Sequence, residues 1–314
     1  MRSRTIFFLY AYAASGMLPS PTRPALAQVQ PDTARVAAQA RSDQFQARVD
    51  EVACVFDNNP DLEKLSHQQR KDLVEFVAGN MLFVTMHEMG HALIAELELP
   101  VLGRHEDAAD ALASLRMLDV RTDFSHRVMV GAALGWYLAH QRQMKWGKKL
   151  LFYDEHGLNN QRAYQVVCLM VGSDPDKFTD LADRAEMPKD RQGTCQGDYS
   201  NASWSWRTVL KPHLRTSEQP KTKIEVVYGA GNGPYEVYAQ LFRSLRLLDL
   251  VAERAADEFA WPRPLALEIK SCGKPNAHWD LSTQRLVVCY ELAADFAALY
   301  RDYGIAAVKN FEQK

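Results

Sequence analysis

The chain has 314 residues, 47% of them hydrophobic, and its 37 basic and 39 acidic side chains leave a formal charge of −2. That length supports one large packed domain or two small ones. The mildly acidic balance lacks the basic excess of a nucleic-acid-binding protein, so no nucleic acid is expected as a partner.

Residues 1–27 read as a secretory signal peptide. Arg2 and Arg4 form the charged start, residues 6–18 the apolar run, and Ala25-Leu26-Ala27 a small-x-small cleavage site. The run is shorter than the ~20 residues a spanning helix needs, which ranks an uncleaved membrane anchor second. Cleavage would remove Arg2, Arg4 and Arg23 and make the exported chain more acidic. No later stretch is long and apolar enough to span a bilayer. The expected location is periplasmic or secreted, without stable membrane insertion once the signal is cleaved.

Five cysteines follow: Cys54, Cys168, Cys195, Cys272 and Cys289. In an oxidising compartment they predict two disulfides and one odd thiol. Proximity in sequence favours Cys168–Cys195 and Cys272–Cys289 over the other pairings. No C-x-x-C occurs, which argues against a cysteine-rich zinc site.

In chain order, residues 28–48 are polar and rich in Ala, Gln and Arg, and read as a mobile leader or a loosely docked helix. Asp57-Asn58-Asn59-Pro60 is turn chemistry. From 61 to 99 the pattern is helical and apolar on most sides, with Leu73, Val77, Met81 and Val84 at three- to four-residue spacing, so this helix belongs in a core. Gly79-Asn80 is a candidate break, and Pro100 ends the run. Further helices are expected over 105–118, 124–145, 159–171 and from Lys177. Residues 188–199 read as a polar, cysteine-bearing loop, and a short helix runs to Leu210. Residues 223–228 alternate like a strand. The glycine-rich stretch 229–234 is a loop and not a dinucleotide fingerprint, because Pro234 takes the place of the third glycine. One amphipathic helix follows through Tyr238, Leu245 and Phe259. Residues 265–270 and 285–290 then look like two strands of a C-terminal hairpin, and a helix over 291–303 closes the chain. The fold class is α+β, mostly helical, with a small antiparallel sheet that includes this hairpin.

The chemistry gathers on His87-Glu88-Met89-Gly90-His91. Histidines four apart share one face of a helix, so both rings can reach one ion, while Glu88 can approach a water on it. Catalytic Zn²⁺ usually takes three protein ligands and leaves a fourth position for water. Glu106-Asp107-Ala108-Ala109-Asp110 supplies the candidates: Glu106 and Asp110, again four apart, share a face of the next helix. We assign Glu106 to the metal and Asp110 to a ring N–H of His87. Asp107 reads as an acid complementing the dipole of a first helical turn, a role that also competes for Glu106. The site exists only if the short return from His91 to Glu106 closes.

These residues, with Leu99-Pro100-Val101-Leu102-Gly103-Arg104, Asp154-Glu155-His156, Gln161-Arg162, Gly172-Ser173-Asp174-Pro175 and Cys289-Tyr290-Glu291-Leu292, resemble a bacterial putative-metallopeptidase domain of unknown function. The resemblance spans roughly residues 73–300. Its zinc-site layout is similar to the gluzincins, zinc peptidases with H-E-x-x-H and a downstream E-x-x-x-D. It implies a single zincin-like domain over 49–314, with the motif helix in its core. It also implies zinc on His87, His91 and Glu106, Glu88 as general base, Asp110 behind, and a peptide or protein substrate.

Stabilising a tetrahedral oxyanion takes a second donor besides the metal. His156 is the best candidate, with Tyr153 behind it, against the plainer role of a locally hydrogen-bonded surface histidine. His105 neighbours Glu106 but points apart from it on a helix, and His126, His140 and His213 lack spaced partners. Tyr290 and Glu291 either line the cleft or pack the hairpin. By analogy with zincin sheets, the hairpin edge is a candidate rest for substrate. The leading expectation is an exported zinc peptidase. The alternatives are a catalytically silent zincin-like module for envelope binding or assembly, and a helical domain with structural zinc. The intact Glu88 favours the first, since a binding module has no need of the base.

Overall fold

The computed structural model describes residues 32–56 and 62–312. The expected signal peptide, the first residues of the leader and the turn at 57–60 lie outside the described residues.

A helix that is apolar on most sides must be covered on most sides, and α2 (His67–Glu96) is the centre of the molecule. Ser66 starts it with a capping box, its hydroxyl accepting from the Gln69 N–H while the Gln69 side chain accepts from the Ser66 N–H. The helix does not break at Gly79-Asn80 as anticipated. Asn80 is buried there because its amide is satisfied, donating to the Phe76 carbonyl at 2.9 Å and to the Gly131 carbonyl at 3.1 Å. At the far end the buried Glu96 accepts two hydrogen bonds, of 2.7 and 2.8 Å, from Arg263.

Around α2 lie α1 (Asp32–Val52), α3 (His105–Val120), α4 (Asp123–Lys145) and α10 (Tyr290–Leu299). The second half of α1 is packed, with Phe45 and Val49 buried and the Ser42 hydroxyl 2.8 Å from that of Thr122. Outside α3 and α4 stand α5 (Asn159–Ser173), α6 (Pro175–Arg184) and α7 (Lys189–Leu210). Of residues 188–199, anticipated as a loop, Pro188 precedes α7 and the rest are its beginning. Its composition is polar because only Cys195, Trp206 and Leu210 are buried. A disulfide from Cys195 to Cys168 clamps it to α5. Gly172 allows that approach, since a Cβ there would collide with the Cys195 carbonyl.

The sheet has four strands in the order β1 (Ile224–Tyr228), β2 (Leu265–Lys270), β4 (Arg285–Cys289), β3 (Ala277–Asp280). It is mixed, not antiparallel as anticipated. β1 and β4 both pair parallel with β2, and only β3 and β4 run antiparallel. Residues 265–270 and 285–289 are therefore not the two arms of a hairpin. The connector between them supplies β3, which turns back onto the far side of β4. The register puts Val226, Leu267, Leu286 and Trp279 on the face toward the helices and Glu225, Glu268, Arg285 and His278 on the other. Between β1 and β2 the anticipated single helix is two, α8 (Glu236–Leu245) and α9 (Leu247–Glu258), separated at Arg246, which is left-handed with φ 52°.

The second disulfide, Cys272–Cys289, ties the segment after β2 to the end of β4. Glu291 completes this brace by accepting from the Cys272 and Gly273 N–H groups at 3.0 and 2.7 Å, and the Tyr290 hydroxyl donates to the Gly229 carbonyl. Both side chains are thus engaged in packing the sheet. A π turn at Tyr300–Gly304 and α11 (Ile305–Glu312) end the described chain. Among the described residues no helix is long and apolar enough to cross a membrane.

Candidate metal centre

The return from His91 to Glu106 closes. Leu97, Leu99 and the connector through Arg104 reverse the chain, and α3 comes back along α2. Two small residues allow the close contact: a Cβ on Gly90 would meet Ala109 Cα at 3.1 Å and its Cβ at 3.2 Å. This Gly90–Ala109 crossing brings Glu106 and Asp110, one turn apart, level with His87 and His91.

The resulting cluster is tight. His87 Nε2 lies 3.1 Å from His91 Nε2 and 3.1 Å from Glu106 Oε2, and His91 Nε2 lies 3.4 Å from Glu106 Oε1. Zinc–ligand bonds of ~2.0–2.1 Å at tetrahedral angles put neighbouring ligand atoms ~3.3 Å apart, so this donor set fits the ion. Two imidazole nitrogens and a carboxylate at these distances repel one another unless a proton or a cation is shared between them. His87 Nδ1 donates to Asp110 Oδ1 at 2.8 Å, which leaves Nε2 as the atom facing the cluster.

Asp110 is held in turn by Arg162 on α5, which donates from Nε and Nη2 at 2.7 Å each, and the guanidinium lies 3.5 Å from the centre of the Trp136 ring. Arg162 and Asp110 are both buried. Nothing in the spacing of the sequence pointed to Arg162 in this position, although Gln161-Arg162 belongs to the stretches that carry the family resemblance. Trp136 was likewise not anticipated.

The electrostatics follow from burial opposed by partners. Burial alone would lower the His87 imidazolium, but the hydrogen bonds to Asp110 and Glu106 outweigh it and push the group up to about 9. For Glu106 burial is again the largest influence, raising the carboxyl, yet hydrogen bonds from His156, His87 and His91 hold it well below the carboxylate range. Asp110 is kept low by His87 and Arg162 against its burial. Glu88 differs from both acids. Its burial raises it and the charges of His87 and His91 only partly offset this, so it is the one carboxyl of the group with a strengthened hold on a proton. His278, on β3, also acts on Glu88 electrostatically and was not anticipated as a neighbour of the site.

His156 reaches the cluster from the loop before α5, with Nε2 2.9 Å from Glu106 Oε2. Its own N–H donates to Asp154 Oδ1 at 2.9 Å, so the local bonding and the approach to the cluster coexist. The hydrogen bond to Glu106 raises His156. Ligand atoms of His87, Glu106 and His156 all lie within 4.8 Å of one another. Tyr153 is exposed, and the His105 ring stacks at 6.0 Å from that of His91 on the outer side.

The model of a family described as putative metallopeptidase matches residues 46–210 and 231–314. The chain belongs to this family. The matched residues include every member of the cluster, and the unmatched stretch 211–230 contains β1, the sheet edge opposite β3. No curated protein and no solved structure matches the chain. Membership in a metallopeptidase family implies a metal ion and a peptide or protein substrate.

Proposed function

We propose that the protein is an exported, zinc-dependent metallopeptidase that hydrolyses amide bonds, a single domain that includes the packed second half of α1. The convergence of His87 Nε2 and His91 Nε2 of α2, the helix that also carries Glu88, with the Glu106 carboxylate of α3 within 3.1–3.4 Å supports this reading most directly. The two disulfides favour export, since such bonds persist in oxidising compartments.

His87, His91 and Glu106 would hold the zinc, with Asp110 and Arg162 fixing the His87 ring. When bound, zinc acidifies a water and polarises a scissile carbonyl. Glu88 accepts the proton of the attacking water and passes it to the departing amine. Its burial-raised affinity for protons suits it to both steps. In this reading His156, exposed beside Glu106, turns its Nε2–H from that carboxylate to the oxyanion that develops on the carbonyl oxygen. β3 is an edge strand of the sheet and packs on α2, so an extended substrate laid along it would gain main-chain hydrogen bonds next to the site.

The test is cleavage of a mixed peptide library by the zinc-loaded protein and by Glu88→Gln. The variant is expected to keep its metal and lose turnover. Turnover that survives the change would refute the mechanism, and a zinc-loaded wild type that cleaves nothing would favour a catalytically silent binding module.

A further inference from the structure

Large apolar side chains that face water are informative when they cluster. Of ten such exposed side chains among the described residues, five fall in one ten-residue stretch, 144–153, where α4 ends and the chain turns toward His156. Trp146 is 58% exposed, Phe152 80% and Tyr153 86%, joined by Met144 and Leu151. Packing within the domain does not account for them. Trp146 instead lies beside two cations, with Lys148 Nζ 4.8 Å and the Arg142 guanidinium 5.4 Å from the centre of its ring.

Charge completes the pattern. Lys145, Lys148 and Lys149 alternate with these apolar residues, no acid occurs between Arg142 and Tyr153, and none of the three lysines has an ion pair among the described residues. The chain as a whole is slightly acidic, so this is a local basic patch on an otherwise opposite background. The fold holds the stretch open: the Lys148 N–H donates to the Gln143 carbonyl, the Gln143 side chain donates to the Lys149 carbonyl, and the Asp154 N–H donates to the Leu151 carbonyl. The lysines and the aromatic side chains are therefore carried on short, internally bonded turns.

Aromatic rings interleaved with lysines are the chemistry of a bilayer interface, where rings sit at headgroup depth and ammonium groups meet anionic lipid. A soluble acidic partner would engage the lysines and leave Phe152 and Tyr153 in water. We propose that residues 144–153 form a peripheral docking surface for an anionic lipid bilayer, with Trp146, Leu151, Phe152 and Tyr153 entering the interface and Lys145, Lys148 and Lys149 bound to headgroups. Because the same stretch leads into Asp154 and His156, docking would set the metal centre beside the membrane surface.

Sedimentation of the full chain with vesicles of phosphatidylglycerol and phosphatidylcholine, against phosphatidylcholine alone, tests this without reference to turnover. The wild type is expected to bind the anionic vesicles roughly tenfold more tightly, with the difference shrinking at high salt. Lys148→Gln/Lys149→Gln and Phe152→Ser/Tyr153→Ser should each weaken that binding several-fold while leaving the circular dichroism spectrum and metal content unchanged. The apolar residues 6–18 are present in every variant, so equal binding by wild type and variants would overturn the assignment. Brominated lipid gives a second readout. It should quench tryptophan fluorescence in the wild type and much less in Trp146→Phe, which keeps the apolar surface. Equal quenching, or binding to soluble polyglutamate with no quenching by lipid, would also overturn it.

Discussion

Arg162 grips Asp110 through two hydrogen bonds of 2.7 Å, and Asp110 in turn accepts from His87, so the orientation of a candidate ligand on α2 is fixed from α5. The arrangement sets a ring tautomer as well as a position. With Nδ1 committed to Asp110, only Nε2 of His87 is free to face the cluster.

Breaking this chain of contacts should therefore weaken metal binding before it abolishes the fold. Asp110→Asn keeps the size of the side chain and removes the charge, and a loss of 10–100-fold in zinc affinity is expected. Arg162→Ala leaves a buried carboxylate with less compensation and should also destabilise the fold, by about 3 kcal/mol. Chelator competition and urea unfolding separate the two effects. An Asp110→Asn protein that binds zinc as the wild type does would remove Asp110 from the account.

The contact of α2 with α3 depends on Gly90. A Cβ there already meets Ala109 within 3.1–3.2 Å, so Gly90→Val has to push the helices apart. Overpacking of this kind costs about 1–3 kcal/mol. Here it should also move Glu106 away from His87 and lower zinc affinity. Restoration of both properties by Ala109→Gly in the same protein would identify the crossing as the cause. A Gly90→Val protein with unchanged metal binding would contradict it.

The pH dependence of the metal-free protein follows from His87. Burial works against its charged form, but Asp110 and Glu106 prevail and push it from an ordinary 6.5 to about 9. The folded value lies above the unfolded one, so protonation favours the metal-free fold. That contribution is complete below about 6.5 and disappears as pH rises through about 9. Thermal unfolding of chelator-treated protein should show a falling Tm across this window. Zinc competes with the same proton, so its affinity should rise with pH over the same range. A zinc affinity independent of pH between about 6.5 and 9 would be inconsistent with His87 as a ligand.

What was legible in the sequence was what helical periodicity encodes. His87 and His91, and again Glu106 and Asp110, are pairs four apart, and a stop at Pro100 followed by a new helix start brings them face to face. Arg162 carries no such signal, because its partner is 52 residues earlier and the pairing is created by the packing of α5 on α3. Residues 188–199 misled because polar composition reports exposure and not the lack of a helix; the clamp to α5 through Cys168 and Gly172 is a tertiary fact. The sheet misled for a related reason. Residues 265–270 and 285–289 look like adjacent hairpin arms by proximity, yet β3 intervenes and leaves them parallel. The split of α8 from α9 at Arg246 is equally invisible, since the apolar spacing continues across a single left-handed residue.

The central claim is that His87, His91 and Glu106 hold one zinc ion, and elemental analysis tests it most directly. After loading at about pH 8 and gel filtration, the wild type should carry about one zinc per chain, Glu88→Gln the same, and His87→Ala close to none. Zinc absent from the wild type, or retained equally by His87→Ala, would contradict the account.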